Sequence, residues 1–598
     1  MKRMKLVRSA AGLSAALVLL VTSIVGCSNK PAVNEPTTAA ETATEAPAAE
    51  GGTFEGTAQG FGGDVTAKVT VSGKEITALE FVAEGETPAI GGAALEAIQK
   101  EVLKKQTTEV DVIAGATVTS KAAVEAINAA LVLAGIDPSS LVAVEGNDSL
   151  EEIKTEADIV VIGGGGAGMT AAITAKQAGL DVVILEKTGM IGGNTTKATG
   201  GMNAAETHFQ KEQGIEDTVA LFIEDTMTGG KNINNIELVT TMAENSADAI
   251  EWLESIGAPL PKVSFSGGAS VARIHAPEDG SGVGNYLVAV FDETLKELEI
   301  PVYLNTKATE IIMKDGAATG VKVTRADGEH TINAKAVILA TGGFGANEEM
   351  YTKYREELKG FVTTNTPGAT GDGIVMAEAI GANLVDIEQI QIHPTVEQTT
   401  SIMVTEGVRG DGAILVNQGG KRFVNEMETR DVVSANVIAQ EGGYAYIIFD
   451  HQLRENLKAT ESYVKAGIVE EGETIEALAE KINIDPSVLS ETLGIWNEAV
   501  TAKTDGEFDR KTGMEHDLTT GPYYAIKIAP GVHHTMGGVE INTSGEVIST
   551  EGNVIQGLFA AGEVTGGIHG ANRIGGNAVA DIVVFGHIAG KSAADSVK

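Results

Sequence analysis

The run Asp158 to Lys187, DIVVIGGGGAGMTAAITAKQAGLDVVILEK, leaves this chain few folds to adopt. Ile159–Ile162 reads as a buried strand, and Gly163, Gly165 and Gly168 follow in G-x-G-x-x-G spacing. Met169–Gly179 reads as a helix, and Val182–Leu185 as a second strand ending in Glu186. The glycines permit a tight turn and close approach of a pyrophosphate, and an acid at Glu186 is placed for ribose hydroxyls. Strand, loop, helix and acid together predict a dinucleotide-binding unit. Two further Gly-rich strand exits occur at Ala336–Asn347 (AVILATGGFGAN) and Gly557–Gly567 (GLFAAGEVTGG). Such returns after long excursions predict one nucleotide-binding α/β domain interrupted by an insertion.

At 598 residues the chain exceeds what one hydrophobic core supports, so several domains are expected. A net charge of −39 argues against nucleic acid, whose phosphates need a basic footprint. The N-terminus reads as a processing segment. Lys2, Arg3, Lys5 and Arg8 precede an apolar stretch, Ser9 to Gly26, which ends in Ile24-Val-Gly-Cys27. That tetrapeptide resembles a bacterial lipobox, which implies a lipoprotein signal peptide over 1–26 and lipidation of Cys27. The mature protein is then expected at the cell membrane, anchored in the lipid bilayer on the extracytoplasmic side. Residues 27–51, rich in Ala, Thr, Glu and Pro, are expected to form a disordered tether. Cys27 is the sole cysteine, so cysteine-ligated iron–sulfur clusters and Cys-x-x-Cys-His haem sites are excluded within the chain, and no metal site is expected.

Residues 52–136 read as a small α/β domain. Thr66–Val71 and Ile76–Val82 are strand-like, Ala93–Lys105 helical, and Ser120–Ala134 repeats apolar residues at helical spacing. Between the helices lies Asp111-Val-Ile-Ala-Gly-Ala-Thr117. A helix N-terminus just after Thr117 would favour a phosphate there. The segment resembles the Asp-x-x-(Ser/Thr)-Gly-Ala-Thr target of flavin transferases, with Ala114 in place of Ser/Thr. The resemblance implies FMN carried covalently on Thr117, with Thr119 the alternative hydroxyl, and a flavin transferase as partner. A connector is expected over 137–157.

The loop Ile191–Ala204, IGGNTTKATGGMNA, resembles the isoalloxazine-contacting loop of the fumarate reductase and succinate dehydrogenase flavoproteins, which favours FAD over NAD. It lacks the histidine that membrane-bound members use for covalent attachment, so non-covalent FAD is expected. The expected cofactor contacts are Gly163, Gly165, Gly166, Ala167, Gly168, Glu186, Lys187, Gly193, Asn194, Thr195, Gly200, Gly201, Thr341, Gly342, Gly343, Asp372, Glu563, Arg573, Gly576, Asn577 and Ala578.

Five separated pieces complete the reading: Gln391-Ile-His393-Pro-Thr, Thr405-Glu-Gly-Val-Arg409-Gly, Glu428-Thr-Arg430-Asp, Val532-His533-His-Thr-Met-Gly-Gly and Ala571-Asn-Arg573-Ile-Gly-Gly-Asn-Ala. Their order and spacing resemble the flavocytochrome c-type soluble fumarate reductases from Asp158 to the C-terminus. The resemblance implies an α/β protein: a Rossmann-like FAD-binding domain (158–386 and 533–598) interrupted by an α+β clamp domain (387–532), preceded by the FMN-binding domain. It implies that His533 and Arg573 hold one substrate carboxylate, and His393, Thr405 and Glu406 the other. Arg430 would donate the proton, replenished through Glu406 and Arg409. Such a reaction needs a hydride from FAD N5 on one carbon, a proton on the other, and carboxylates clamped over the flavin.

The favoured reading is reduction of fumarate to succinate, with electrons from a membrane donor passing through FMN to FAD. Reduction of another α,β-unsaturated acid (urocanate, acrylate or a cinnamate) is the alternative. Urocanate reductases have Tyr where this chain has His393, which favours fumarate. A non-enzymatic electron-relay lipoprotein would need no carboxylate clamp.

Overall fold

The computed structural model describes residues 51–86, 91–110, 112–113, 116–141, 152–265 and 267–598. The expected leader, Cys27, nearly all of the tether, and Asp111, Ala114 and Gly115 of the proposed flavin loop lie outside them. No helix among the described residues is long and apolar enough to cross a membrane.

The first domain is a three-stranded antiparallel sheet, Gly52–Gln59, Asp64–Ser72 and Glu75–Val82, covered by helices Ala93–Lys105 and Thr117–Leu133. Strand alternation sends Val65, Ala67, Val69 and Val71 inward, where they meet Ile98, Val102, Ile127 and Leu131 in a cluster of their own. The strand Gly52–Gln59 escaped sequence reading because Gly56 is its one fully buried residue. Helix Thr117–Leu133 crosses there, and a Cβ on Gly56 would stand 2.5 Å from Ala130 N. That helix starts three residues before the expected Ser120, and Ser120 N donates to Ala116 O at 2.8 Å. Its first turn bears no apolar stripe, since Val118 faces solvent while Thr119 and Ser120 are buried.

In the FAD-binding part, strands Val554–Ala560, Gly328–Leu339, Glu156–Ile162, Val182–Leu185 and Val302–Tyr303 pair in parallel in that order. Their inward residues are continuous apolar runs, as a sheet covered on both faces requires. The three Gly-rich exits therefore emerge side by side: Ala340 N donates to Ile162 O at 2.9 Å, and Ala561 N to Leu339 O at 3.0 Å. The first helix runs Gly166–Gln177, three residues earlier than expected, because two glycines of the fingerprint form its first turn.

The inserted segment builds an antiparallel sheet in the order Ile390–Val396, Tyr523–Thr535, Ala445–Asp450, Ile414–Val416. It has two hydrophobic clusters drawn from residues between 402 and 528. Strand Tyr523–Thr535 changes partner midway. Residues 523–528 pair with Ala445–Asp450, and residues 529–535 with Ile390–Val396. The expected division at 532/533 thus falls inside one continuous strand, and Ile390 and Val532 join the core of the FAD-binding part.

The C-terminal helix Asn577–Val597 lies along helix Gly166–Gln177. Gly586 and Gly590 allow this approach: a Cβ on Gly586 would be 2.8 Å from Ala167 O, and one on Gly590 would overlap Ala171 O. Gly590→Val should destabilise the protein by about 2–3 kcal/mol through overpacking, read as an earlier midpoint in chemical denaturation. An unchanged midpoint would show that the helices part without cost.

Candidate active site

A cleft runs along the strand ends, lined by Gly163, Glu186, Lys187, Asn194, Thr341, Gly342 and Asp372 among others. Its backbone is shaped for a ligand. Gly163 (φ 109°) abuts Ala340, and a Cβ on Gly168 would overlap Gly163 O, so neither position accepts a side chain. A Cβ on Gly165 or Gly342 would instead enter nearly open space, nothing approaching closer than 3.9 Å. Gly165 caps the helix Gly166–Gln177, whose first amides offer a phosphate site. Glu186 accepts from Gly164 N at 2.9 Å, which fixes its carboxylate at the ribose end. Lys187 pairs with Asp372 at 2.6 Å. These residues fit an FAD pyrophosphate and adenosine.

The other expected cofactor residues stand outside that lining. Thr195 Oγ1 accepts from Gly166 N at 3.0 Å, joining the Gly193–Thr195 turn and Ala167's helix. Beyond Gly200 and Gly201, Asn203 Nδ2 donates to Gly575 O and to Asn577 Oδ1, both at 2.7 Å. This ties the loop to Gly576, Asn577 and Ala578 at the C-terminal helix start. Glu563 takes Thr535 N at 3.0 Å beneath Gly343, and burial pushes its carboxyl upward.

The reducing residues converge where the insertion meets the FAD-binding part. Arg430 opens helix Arg430–Ile438; its Nε donates to Glu406 Oε1 at 2.7 Å and its Nη1 to Gln391 Oε1 at 2.8 Å. Arg409 Nη2 stands 3.7 Å from the same Glu406 oxygen, and its Nη1 donates to Glu426 O at 2.6 Å. Arg573 Nη2 lies 3.2 Å from His533 Nε2, and the His393 and His533 rings are 5.3 Å apart. Thr405 caps the short helix bearing Glu406 and Arg409, and its amide donates to Tyr463 Oη at 2.9 Å. Burial pushes that phenol up to about 12, so it stays neutral.

Three guanidiniums thus surround one carboxylate. Burial pushes the Glu406 carboxyl up, but Arg430, Arg409 and Arg573 prevail and bring it to about 2, fully ionised at neutral pH. Burial, with Arg430 next, lowers Arg573 to about 9, still protonated at neutral pH. Burial and then the arginines hold His393 and His533 well below the usual imidazole range. Other acids act on the same arginines, Glu563 and Asp581 on Arg573 and Glu426 on Arg409. His393 Nε2 and Arg573 Nε are buried without a partner, donors to which an anionic ligand would give acceptors.

Sequence reading missed Gln391. Its Nδ-equivalent amide, Nε2, donates to Asn572 Oδ1 at 2.7 Å and Arg573 O at 2.8 Å, while its oxygen holds Arg430. Strand alternation puts residues 391 and 393 on one face, which was the available signal. The same rule separates the tandem histidines: His534 packs on His569 at 5.3 Å, away from His533's partners. Also missed was the buried set Arg422, Glu426, Asp505 and Arg510 behind Arg409, with Arg422–Glu426 at 2.8 Å and Arg510–Glu426 at 3.1 Å. Thr119, the alternative flavin hydroxyl, is buried and donates to Glu86 at 2.9 Å.

Residues 158–579 match the FAD binding domain family and residues 60–132 the FMN-binding domain family. An NADH:fumarate oxidoreductase of Klebsiella pneumoniae is 46% identical over 546 residues, covering 91% of this chain and 58% of that protein. The chain therefore spans under two thirds of that relative's length. A urocanate reductase of Eggerthella lenta is 39% identical over 557 residues, covering 90% of this chain and 91% of that protein. The open conformation of a flavocytochrome c3 fumarate reductase superposes with a TM-score of 0.65 at 44% identity, covering 74% of this chain and 78% of that one. This chain belongs to the soluble fumarate reductase flavoprotein family, FAD-dependent oxidoreductases of the CH–CH group, with an FMN-binding domain ahead of the FAD-binding domain.

Proposed function

We propose that the enzyme reduces fumarate to succinate. The observation that carries this is the buried meeting of Arg430, Arg409 and Arg573 with His393 and His533, which offers basic holders for two carboxylates. Arg573 and His533 hold one carboxylate, and His393 with the Thr405–Glu406 turn holds the other. Gly163, Glu186, Lys187 and Asp372 would hold FAD non-covalently in the cleft, and its chemistry when bound would be hydride supply to one alkene carbon. Arg430 gives the proton to the other carbon. Its Nε and Nη1 are engaged by Glu406 and Gln391, while Nη2 has no partner among the described residues and is the donor. The proton returns to Arg430 through Glu406 Oε1, with Arg409 next in line. Closure of the inserted domain would exclude water from this step.

Reduction of another unsaturated acid is the second reading, favoured by the likeness to a urocanate reductase. His393 argues for fumarate, because its buried Nε2 suits a second carboxylate. Electrons are proposed to enter from a membrane donor at FMN attached by a flavin transferase to Thr117. Its position in the first turn of a 17-residue helix suits a phosphoester. Ile24-Val-Gly-Cys27 supports a lipid-anchored, extracytoplasmic protein.

Mature protein supplied with reduced viologen should turn over fumarate fast and acrylate, cinnamate and urocanate slowly. A preference for a monocarboxylate would overturn the dicarboxylate assignment. Arg430→Ala should lower kcat at least about a hundredfold with FAD still bound, as loss of a general acid requires. Thr117→Ala should lose covalent flavin fluorescence on a denaturing gel and turnover with native membranes as reductant, yet keep viologen-driven turnover. Full membrane-driven activity in that variant would refute the relay.

A further inference from the structure

The two imidazoles of the site carry their protons on opposite nitrogens. Thr395 N donates to His393 Nδ1 at 3.3 Å, and Thr395 Oγ1 spends its own hydrogen on Val404 O at 2.8 Å. His393 Nδ1 is therefore the acceptor, and its Nε2–H is the buried donor without a partner. His533 is reversed. Its Nε2 lies 3.2 Å from Arg573 Nη2, and a guanidinium only donates, so this nitrogen bears no proton. The neutral ring then carries its hydrogen on Nδ1, which donates to Thr364 Oγ1 at 2.7 Å. Thr364 in turn gives its hydroxyl hydrogen to Val532 O at 3.3 Å.

Thr364 is held firmly. It is buried, and its amide donates to Val532 O at 2.9 Å while Val532 N donates to Val362 O at 2.8 Å. The next two residues tie the same strap to the flavin loop. Asn365 Nδ2 donates to His533 O at 3.1 Å, and Asn365 Oδ1 accepts from Asn194 Nδ2 at 2.6 Å. Thr366 N donates to Asn194 Oδ1 at 2.8 Å. The strap thus registers His533 against the loop expected to contact the isoalloxazine.

We propose that Thr364 is the positioning residue of His533: by accepting from Nδ1–H it leaves the substrate-facing Nε2 bare, so a carboxylate docks there only as one proton adds to Nε2. This rests on the reading of His533 and Arg573 as a carboxylate holder. A bare Nε2 would set a lone pair against a carboxylate oxygen. A proton taken from solvent makes the imidazolium, whose Nε2–H donates to the carboxylate while Nδ1–H stays on Thr364. No electrons move. The charged and titratable groups facing His533 are Arg430 and Glu406 from the inserted domain, His393 from the neighbouring strand and Arg573 from the loop before the C-terminal helix. The Thr363–Thr366 strap contributes none. Substrate anions therefore shift the balance toward the protonated ring.

The test is the pH dependence of KM for fumarate with reduced viologen, between about pH 5.5 and 7.5. Uptake of one proton on binding makes the wild-type KM rise with pH, by up to about tenfold per unit. Thr364→Val, confirmed by its absorbance to hold FAD, should raise KM about five- to tenfold at the acid end, as loss of one hydrogen bond implies. Its slope should flatten, because the freed neutral ring can place its hydrogen on Nε2. Its kcat should stay within about threefold, the signature of changed binding alone. Thr364→Ser should restore both slope and KM. Thr364→Ala replaces the valine variant if that one fails to load FAD. Wild-type KM and slope in the Thr364 variant, alongside lost affinity in His533→Ala, would overturn the role of Thr364 and leave the site reading intact. An unchanged KM in His533→Ala would overturn both.

Discussion

The arrangement of this active site depends on a charge imbalance in a place nearly closed to water. Arg409 and Arg430 stand at one acid, Glu406, and Arg573 also feels Glu563 and Asp581, within a wall that holds two histidines. Burying charge without a partner is costly, and the protein meets that cost in part by keeping His393 and His533 neutral. Protonating either imidazole would add a further positive charge beside three buried guanidiniums. An anionic ligand would reverse that balance. Stability and function pull in opposite directions here, and the residual strain is a source of substrate affinity.

Geometry carries this imbalance across two structural parts. Strand Tyr523–Thr535 begins among the inserted domain's strands and ends with His533 in the FAD-binding part. Gln391, on the neighbouring strand, grips Arg430 with its oxygen and the Asn572–Arg573 loop with its nitrogen. Arg430 and Arg573 are thereby spaced by one buried amide. An amide suits the position because it accepts from the arginine and donates to the loop at once. Neither a carboxylate nor an ammonium does both.

Much of the fold was legible because glycine and apolar runs leave local marks. The three Gly-rich strand exits predicted one interrupted nucleotide-binding domain, and their strands lie side by side in one sheet. Strand Val182–Leu185 and helix Ala93–Lys105 fall where the periodicity put them. What stayed hidden has physical reasons. Gly52–Gln59 turns inward only Phe54 and Ala58 beside two glycines, a weak apolar alternation. The helix start at Thr117 buries Thr119 and Ser120, so it has no apolar face to signal it. The site residues of the motifs do meet, but their supports act across long stretches of chain: Gln391 reaches residues 39 and 182 positions away, Thr364 one 169 away and Glu426 one 84 away. No periodicity encodes such pairings.

The overall charge sets how substrate reaches this site. At −39 the chain repels a dianion at long range, so attraction has to come from within the cavity. At physiological ionic strength fields from exposed charge fade over about 8 Å, which mutes the repulsion by the acidic surface. The buried guanidiniums are screened far less, because little solvent separates them from a ligand. Capture is therefore a short-range event governed by Arg409, Arg430 and Arg573. The rest of the surface remains acidic without loss of affinity. This separation also explains why the site concentrates its arginines instead of spreading them over the cleft mouth. A positive rim would be neutralised by the protein's own carboxylates, whereas a buried cluster is set apart from those at the surface.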